Sequence, residues 1–219
     1  IQALGDVQVN RDEHYYSGIS QGGIFGPTFV ALSEDVDRGH VGVPGNNYAT
    51  LLHRSVDFDP FFNFLSAAYE GTQNQAACLA LLQLLWDGTD SVSYYRKIHD
   101  PFPGQAENAI LAGPARGDYQ VSPLTMEITA RSNLGLAVMA NYDPDRQVPL
   151  MEETPYPHRG SGIVNWHFGN PWPAPGNTPP PKNDDDPHEL PRLVLDHNRQ
   201  MIHFFRTGEI TDVCAGGYC

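Results

Sequence analysis

Basic residues are scarce in this sequence: 13 Lys and Arg stand against 26 Asp and Glu, giving a formal charge of -13 at pH 7. A surface of that sign repels phosphate backbones, so nucleic acid is excluded as a partner, and an anionic bilayer is repelled equally. Long apolar runs are missing too. The longest, Ala76 to Trp86, is about half of the roughly 20 residues a helix needs to cross a membrane, so no membrane span is expected. No signal-peptide pattern opens the chain, which begins at Ile1 rather than Met, and a processed or truncated product is expected. Internal repeats are absent, and no motif calls for a cofactor.

Cysteine is rare as well, with Cys78, Cys214 and Cys219 only. The last two are five positions apart in Cys-Ala-Gly-Gly-Tyr-Cys, and the Gly pair lets the backbone turn tightly. A small disulfide ring is expected there, and with it an oxidising compartment, secreted or periplasmic. A zinc site would need two further ligands nearby, which the tail does not offer. Cys78, inside the apolar run, is expected in the core, with pairing to a segment outside this chain as the alternative.

What is present is an alternation of strands and helices. Residues 14–19 read as a short aromatic strand, followed by a Gly-dense turn and a helix over 24–34 that contains Pro27. A second strand is expected at 39–43, and a third at 109–112. Residues 58–98 have helical character, with apolar residues dense enough to be buried on most sides. A helix over 124–132, strands over 134–140 and 163–168, a Pro-rich loop over 171–187 and a final helix over 193–205 complete the pattern. Such alternation predicts one α/β domain with a mostly parallel sheet. Its parts are a first core segment (1–57), a helical insertion (58–105) and a second core segment (106–219).

Gly18-Ile19-Ser20-Gln21-Gly22 fits the G-x-S-x-G pattern between that first strand and helix. A serine on a sharp strand-to-helix turn exposes its hydroxyl, and small neighbours let the strained backbone pass close to adjoining elements. The backbone N–H of Gln21 would face an oxyanion from the helix N-terminus. A triad then needs an acid and a base further along. Asp118, in Gly-Pro-Ala-Arg-Gly-Asp-Tyr-Gln-Val after the third strand, fits the acid that fixes an imidazole tautomer. Among nine histidines, His188 fits the base, because Asp-Pro-His-Glu-Leu-Pro-Arg is a proline-stiffened loop before the last helix. His158 and His167 are the alternatives, whereas His197 and His203 read as surface or packing residues of the final helix. The acidic run Asp184 to Asp186 admits a calcium site as a further idea, against the simpler reading of a solvated loop.

With Ser20, Asp118 and His188 in this order, the chain resembles the C-terminal part of the α/β-hydrolase superfamily. It resembles in particular a group of secreted bacterial α/β-hydrolases, through Gly-Ile-Ser-Gln-Gly-Gly, Leu-Leu-Gln-Leu-Leu-Trp-Asp, Gly-Asp-Tyr-Gln-Val, Asp-Pro-His-Glu-Leu-Pro-Arg and the cysteine-closed tail. The resemblance implies an α/β-hydrolase fold with a helical cap insertion. It also implies that the elbow strand is central. Only 19 residues precede Ser20 here, so an N-terminal polypeptide, cleaved from the same precursor or separate, is expected to complete the sheet and supply a second oxyanion donor.

The expected function is a serine hydrolase that cleaves small-molecule carboxylic esters through an acyl-enzyme, with no metal or cofactor. Phe61, Phe62 and Trp86 of the insertion are candidates for an apolar acyl site, although such residues more often pack helices together. Two alternatives stay open: a peptidase or amidase of the same fold, and a binding subunit that keeps the fold without the chemistry.

Overall fold

The structure, a computed structural model, describes residues 10–132, 134–172 and 185–219. Its centre is a six-stranded sheet. In chain order the elements are β1 (Tyr15–Ile19), α1 (Gln21–Leu32), β2 (Arg38–Gly42), α2 (Tyr48–Leu51), α3 (Asp59–Ala68), α4 (Thr72–Trp86), α5 (Tyr95–His99), β3 (Ala109–Gly113), α6 (Leu124–Arg131), β4 (Ala137–Met139), β5 (Glu153–Thr154), β6 (His158–Arg159), β7 (Gly162–Ile163), α7 (Leu195–Thr207) and β8 (Glu209–Ile210). The sheet runs β1-β2-β3-β7-β4-β5, with every pairing parallel, while β6 and β8 form a separate antiparallel pair. The expected α/β class with a parallel sheet is therefore what forms.

Side chains alternate across the sheet, so each strand feeds two cores. In β3, Ile110 and Ala112 enter a cluster with Val30, Val41, Tyr95, Ile98 and Met126, beneath α1, α5 and α6. Leu111 points the other way, into a cluster with Trp166, Phe204 and Ile210 beneath α7. The tail closes against that second cluster, where Cys214 and Cys219 form the expected disulfide with Cα atoms 5.3 Å apart.

Several expectations need correction. The helix after β1 starts at Gln21, directly behind Ser20, rather than at Ile24, and it accommodates Pro27. β4 is shorter than the apolar run 134–140, because Gly135 sits at φ +86° under the ring of His99 and the strand begins only beyond it. The strand expected at 163–168 reduces to β7 and a single bridge from Trp166 to Ala115. β5, β6 and β8 have two residues each, too short to leave a periodic signal. Most of the expected Pro-rich loop, residues 173–184, lies outside the described residues.

The larger correction concerns α4. It does not bury its leucines on most sides. Its buried residues are Gln75, Leu79 and Gln83, while Leu84 and Leu85 are 69% and 77% exposed. Cys78 is half-buried rather than in the core. The cause is polar. Gln83 accepts from the Ala49 N–H at 2.9 Å and donates to Asp87 and Asp90 at 2.9 and 3.0 Å. Asp90, fully buried, also accepts from the N–H groups of Tyr48 and Val92. Turning α4 over to bury its leucines would strip these partners from buried donors and acceptors, at about 1–3 kcal/mol for each group left unsatisfied. Among the described residues no helix is long and apolar enough to cross a membrane.

This arrangement has a counterintuitive consequence. Gln83→Leu puts an apolar residue at a buried position, yet it should lower the unfolding free energy by about 1–3 kcal/mol, because Asp90 and the Ala49 N–H lose a partner. Urea unfolding of the two proteins measures this; an unchanged or raised midpoint would contradict the account of α4.

Candidate active site

Parallel register brings the site together. Ile19 lies opposite Gly42, and Gly42 opposite Gly113, so β1, β2 and β3 end in one row. The turns leaving those ends carry Ser20 and Asp118.

Ser20 occupies the sharp turn between β1 and α1, with φ 58° and ψ -120°, a conformation that L-residues rarely adopt. Two backbone bonds hold it: the Ser20 N–H donates to the Gly42 carbonyl at 3.0 Å, and the Ile24 N–H donates to the Ser20 carbonyl at 2.8 Å. Crowding explains the glycines. A Cβ on Gly18 would stand 2.4 Å from the Gly22 carbonyl oxygen, and one on Gly23 would stand 2.4 Å from that of Gly42. At Gly22 itself the nearest atom would be the Tyr16 hydroxyl at 3.6 Å, an ordinary contact. Packing therefore forbids a side chain at Gly18, which opens the motif, and at Gly23, one beyond it, but not at Gly22. Gln21 is the first residue of α1, so its N–H belongs to the donors a helix leaves without intrahelical partners, as an oxyanion site requires.

Asp118 sits in the turn after β3. Gly117, at φ +83° and with Asn170 where a Cβ would go, sets that turn. One carboxylate oxygen of Asp118 accepts from the N–H groups of Gln120 and Val121 at 2.9 and 2.8 Å. This local closure suits an Asp beside a turn and leaves the other oxygen free to point outward. That oxygen meets His188 Nδ1 at 2.8 Å. His188 lies in the short 3-10 turn Pro187–Glu189, where Pro187 occupies the first helical position and Asp186 caps the turn. Its Nε2 is 2.8 Å from Ser20 Oγ. An imidazole that donates from Nδ1 to Asp118 has Nε2 left to accept from the serine hydroxyl. Asp118 is fully buried and His188 is 3% exposed.

The electrostatics follow from this burial. Burial pulls the His188 ring down, but the hydrogen bond and charge of Asp118, aided by Asp186 and Asp57, outweigh it, so its pKa lies above the ordinary 6.5. Burial pushes the Asp118 carboxyl up, against the hydrogen bond and charge of His188 and the N–H of Val121. The group is an ordered donor–acceptor chain in which a proton can pass from Ser20 to a ring that Asp118 orients.

The structure thus brings Ser20, Asp118 and His188 together. His158 pairs in β6, and His167 Nδ1 accepts from the Gly169 N–H at 3.2 Å; among the described residues neither bonds to Ser20. The candidate acyl-site residues pack within the insertion, with Phe61 and Phe62 both against Phe58. Phe61 is 62% exposed, Phe62 packs edge-on against the buried His53, and Trp86 packs against Tyr48. No group of three or more His, Cys, Asp or Glu among the described residues could hold a metal ion. Asp184 lies outside those residues, and the carboxylate of Asp186 is engaged by N–H donors.

Two features escaped the sequence. His197 is a buried residue, with Nε2 3.1 Å from His40 Nε2 and its ring against Trp166. This pair joins β2 to α7, and His197 borders the same small void as His188. The other feature is Asp186, for which a signal existed: an Asp directly before Pro is an N-cap pattern.

The two histidine environments should differ in solution. The His188 imidazole should titrate above pH 6.5, while burial and the neighbouring His197 hold His40 down at about 3, so His40 stays neutral across the same range. Ring-proton NMR of the two residues against pH measures both; a His188 midpoint below 6.5 would contradict the charge balance described.

The chain matches no protein-family model, no curated protein and no solved structure.

Proposed function

We propose that the chain is the catalytic part of a serine hydrolase of the α/β-hydrolase fold, acting on carboxylic esters. One observation carries the reading: Ser20 Oγ, the His188 ring and the Asp118 carboxylate form a chain with both links at 2.8 Å, on the turn between a parallel strand and the helix after it. That turn has the strained backbone of a nucleophile elbow, and the three residues follow the order Ser, Asp, His. A serine at the elbow also excludes the halide-displacing chemistry that uses an aspartate there.

The mechanism follows from the donors and acceptors. Ser20 Oγ attacks the ester carbonyl carbon while its proton passes to His188 Nε2, and Asp118 stabilises the resulting imidazolium. The carbonyl oxygen becomes an oxyanion at the Gln21 N–H. The C–O bond to the alcohol breaks, and the alcohol leaves with the proton from His188. Water then attacks the acyl-enzyme with His188 again as base, releasing the acid and restoring Ser20. The disulfide of Cys214 and Cys219 supports an oxidising compartment, secreted or periplasmic.

Ser20→Ala should abolish labelling by a fluorophosphonate and lower kcat on an activated ester by about 10³-fold or more. Labelling or turnover that survives this substitution would remove Ser20 from the mechanism, and with it the reading.

We propose further that a second polypeptide pairs along β1. Among the described residues β1 is an outer strand of the sheet, bonded to β2 alone. Parallel sheets are rarely left open beside apolar surface. Here aromatic rings flank the edge on both faces: the half-exposed Phe29 against Tyr16, and Phe205 stacked on Tyr15. An added strand would satisfy the unpaired main-chain groups and could bring a second oxyanion donor, a contact whose loss typically costs about 10²–10³ in rate. The native protein should run with a second band on a denaturing gel, comigrating on gel filtration. A monomer of this chain alone that is soluble and fully active would disprove the pairing.

A further inference from the structure

We infer that Asp186 is a positioning residue: its carboxylate ties the loop bearing His188 to the turn bearing Asp118, and so keeps the imidazole in line between Ser20 and Asp118. Three donors converge on it. Asp186 Oδ1 accepts from the backbone N–H of His188 at 3.1 Å and from that of Tyr119 at 3.2 Å, and Oδ2 accepts from the Gln120 side-chain amide at 3.1 Å. The first donor belongs to the base itself; the other two belong to the residues directly after the acid. An N-cap needs only the first. The two bonds to the acid turn run across the fold, between segments more than sixty positions apart in the chain.

The need for such a tie is physical. His188 is a ring on a short 3-10 turn, and a turn of that kind is weakly held by its own hydrogen bonds. The Asp118–His188 bond fixes the Nδ1 side of the ring; without a second attachment the loop backbone can tilt about it. Asp186 supplies that attachment at the main chain, close to the Cα of His188. Asn170 aids it, donating from its side-chain amide to the Asp185 carbonyl at 2.6 Å. The charged and titratable groups facing His188 are Asp118 from the turn after β3, Asp186 from its own loop, Asp57 from the turn before α3, and Arg192 and His197 around the small void behind it. Of these carboxylates, Asp118 bonds the ring and Asp186 bonds the His188 backbone.

Two substitutions separate the tie from the charge. Asp186→Ala removes every acceptor. The expected result on a soluble activated ester is a fall in kcat of about 10- to 100-fold, with KM within about twofold, since small displacements of a catalytic group act on the chemical step. Asp186→Asn keeps an oxygen for the His188 and Tyr119 N–H groups, so it should restore most of the lost rate. It also removes a negative charge that favours the imidazolium, so the NMR titration of His188 should move to lower pH. Wild-type kcat in Asp186→Ala would overturn the inference. Should Asp186→Ala fail to fold by circular dichroism, Gln120→Ala decides: it removes one of the two bonds to the acid turn and no charge, so a several-fold fall in kcat at unchanged KM supports the assignment and wild-type kcat overturns it. The kinetic arm rests on the hydrolase reading. If the wild type takes no fluorophosphonate and turns over no ester, that reading fails, while hydrogen exchange at the His188 and Tyr119 N–H groups still decides the role of Asp186: faster exchange in Asp186→Ala than in the wild type supports the tie, and unchanged exchange overturns it.

Discussion

Parallel pairing among the first three strands is the constraint on which the site depends. With Ile19, Gly42 and Gly113 in one row, each strand delivers its following turn to the same edge of the sheet. Ser20 and Asp118 are far apart in sequence, and no local interaction could bring them together. Hydrogen-bond register does so, and it cannot slip by one residue without exchanging Ile110 and Ala112 with Leu111 between the two cores. The energy that fixes the catalytic geometry is therefore core burial on both faces of the sheet.

Within that frame the site is assembled from short, stiff pieces. A strained serine between strand and helix, a closed turn at Asp118 and a proline-started turn at His188 each have few conformations of their own. Their backbones are held by bonds to neighbouring main chain: Ser20 to Gly42, and the turn after β3 to Trp166 through the Arg116 N–H at 2.8 Å. Strain at Ser20 persists because the surrounding contacts over-determine it, with Gly18 and Gly23 leaving no room for the backbone to relax outward.

The insertion between β2 and β3 obeys a different rule. There buried polar groups, not apolar ones, choose the orientation of α4. Gln83 and Asp90 engage one another and the start of α2, and the leucines of α4 face outward as a result. A buried polar network is costly when half satisfied and specific when complete, and here its completeness overrides what hydrophobicity alone would select. The buried His40–His197 contact between β2 and α7 is different: the two Nε2 atoms meet, while both Nδ1 atoms are buried without a hydrogen-bond partner among the described residues.

The sequence by itself determined the α/β class, the strand and helix around Ser20, the identity of all three members of the candidate triad and the ring closed by Cys214 and Cys219. Each of these rests on short-range rules: a turn demanding small residues, an Asp beside a Gly, a histidine between prolines, two cysteines around a Gly pair. What stayed hidden depends on partners distant in the chain. The composition of α4 reads as buried because periodicity counts apolar residues and is blind to where Gln83 finds its acceptors. His197 reads only as a surface or packing residue because its partner, His40, lies on another element. Asp186 reads as part of an acidic loop because the Tyr119 and Gln120 groups that engage it are brought there only by folding. Local backbone chemistry is written in neighbouring residues. The rotation of a helix, the order of strands and the pairing of buried polar groups are decided by contacts that exist only once the chain has closed on itself.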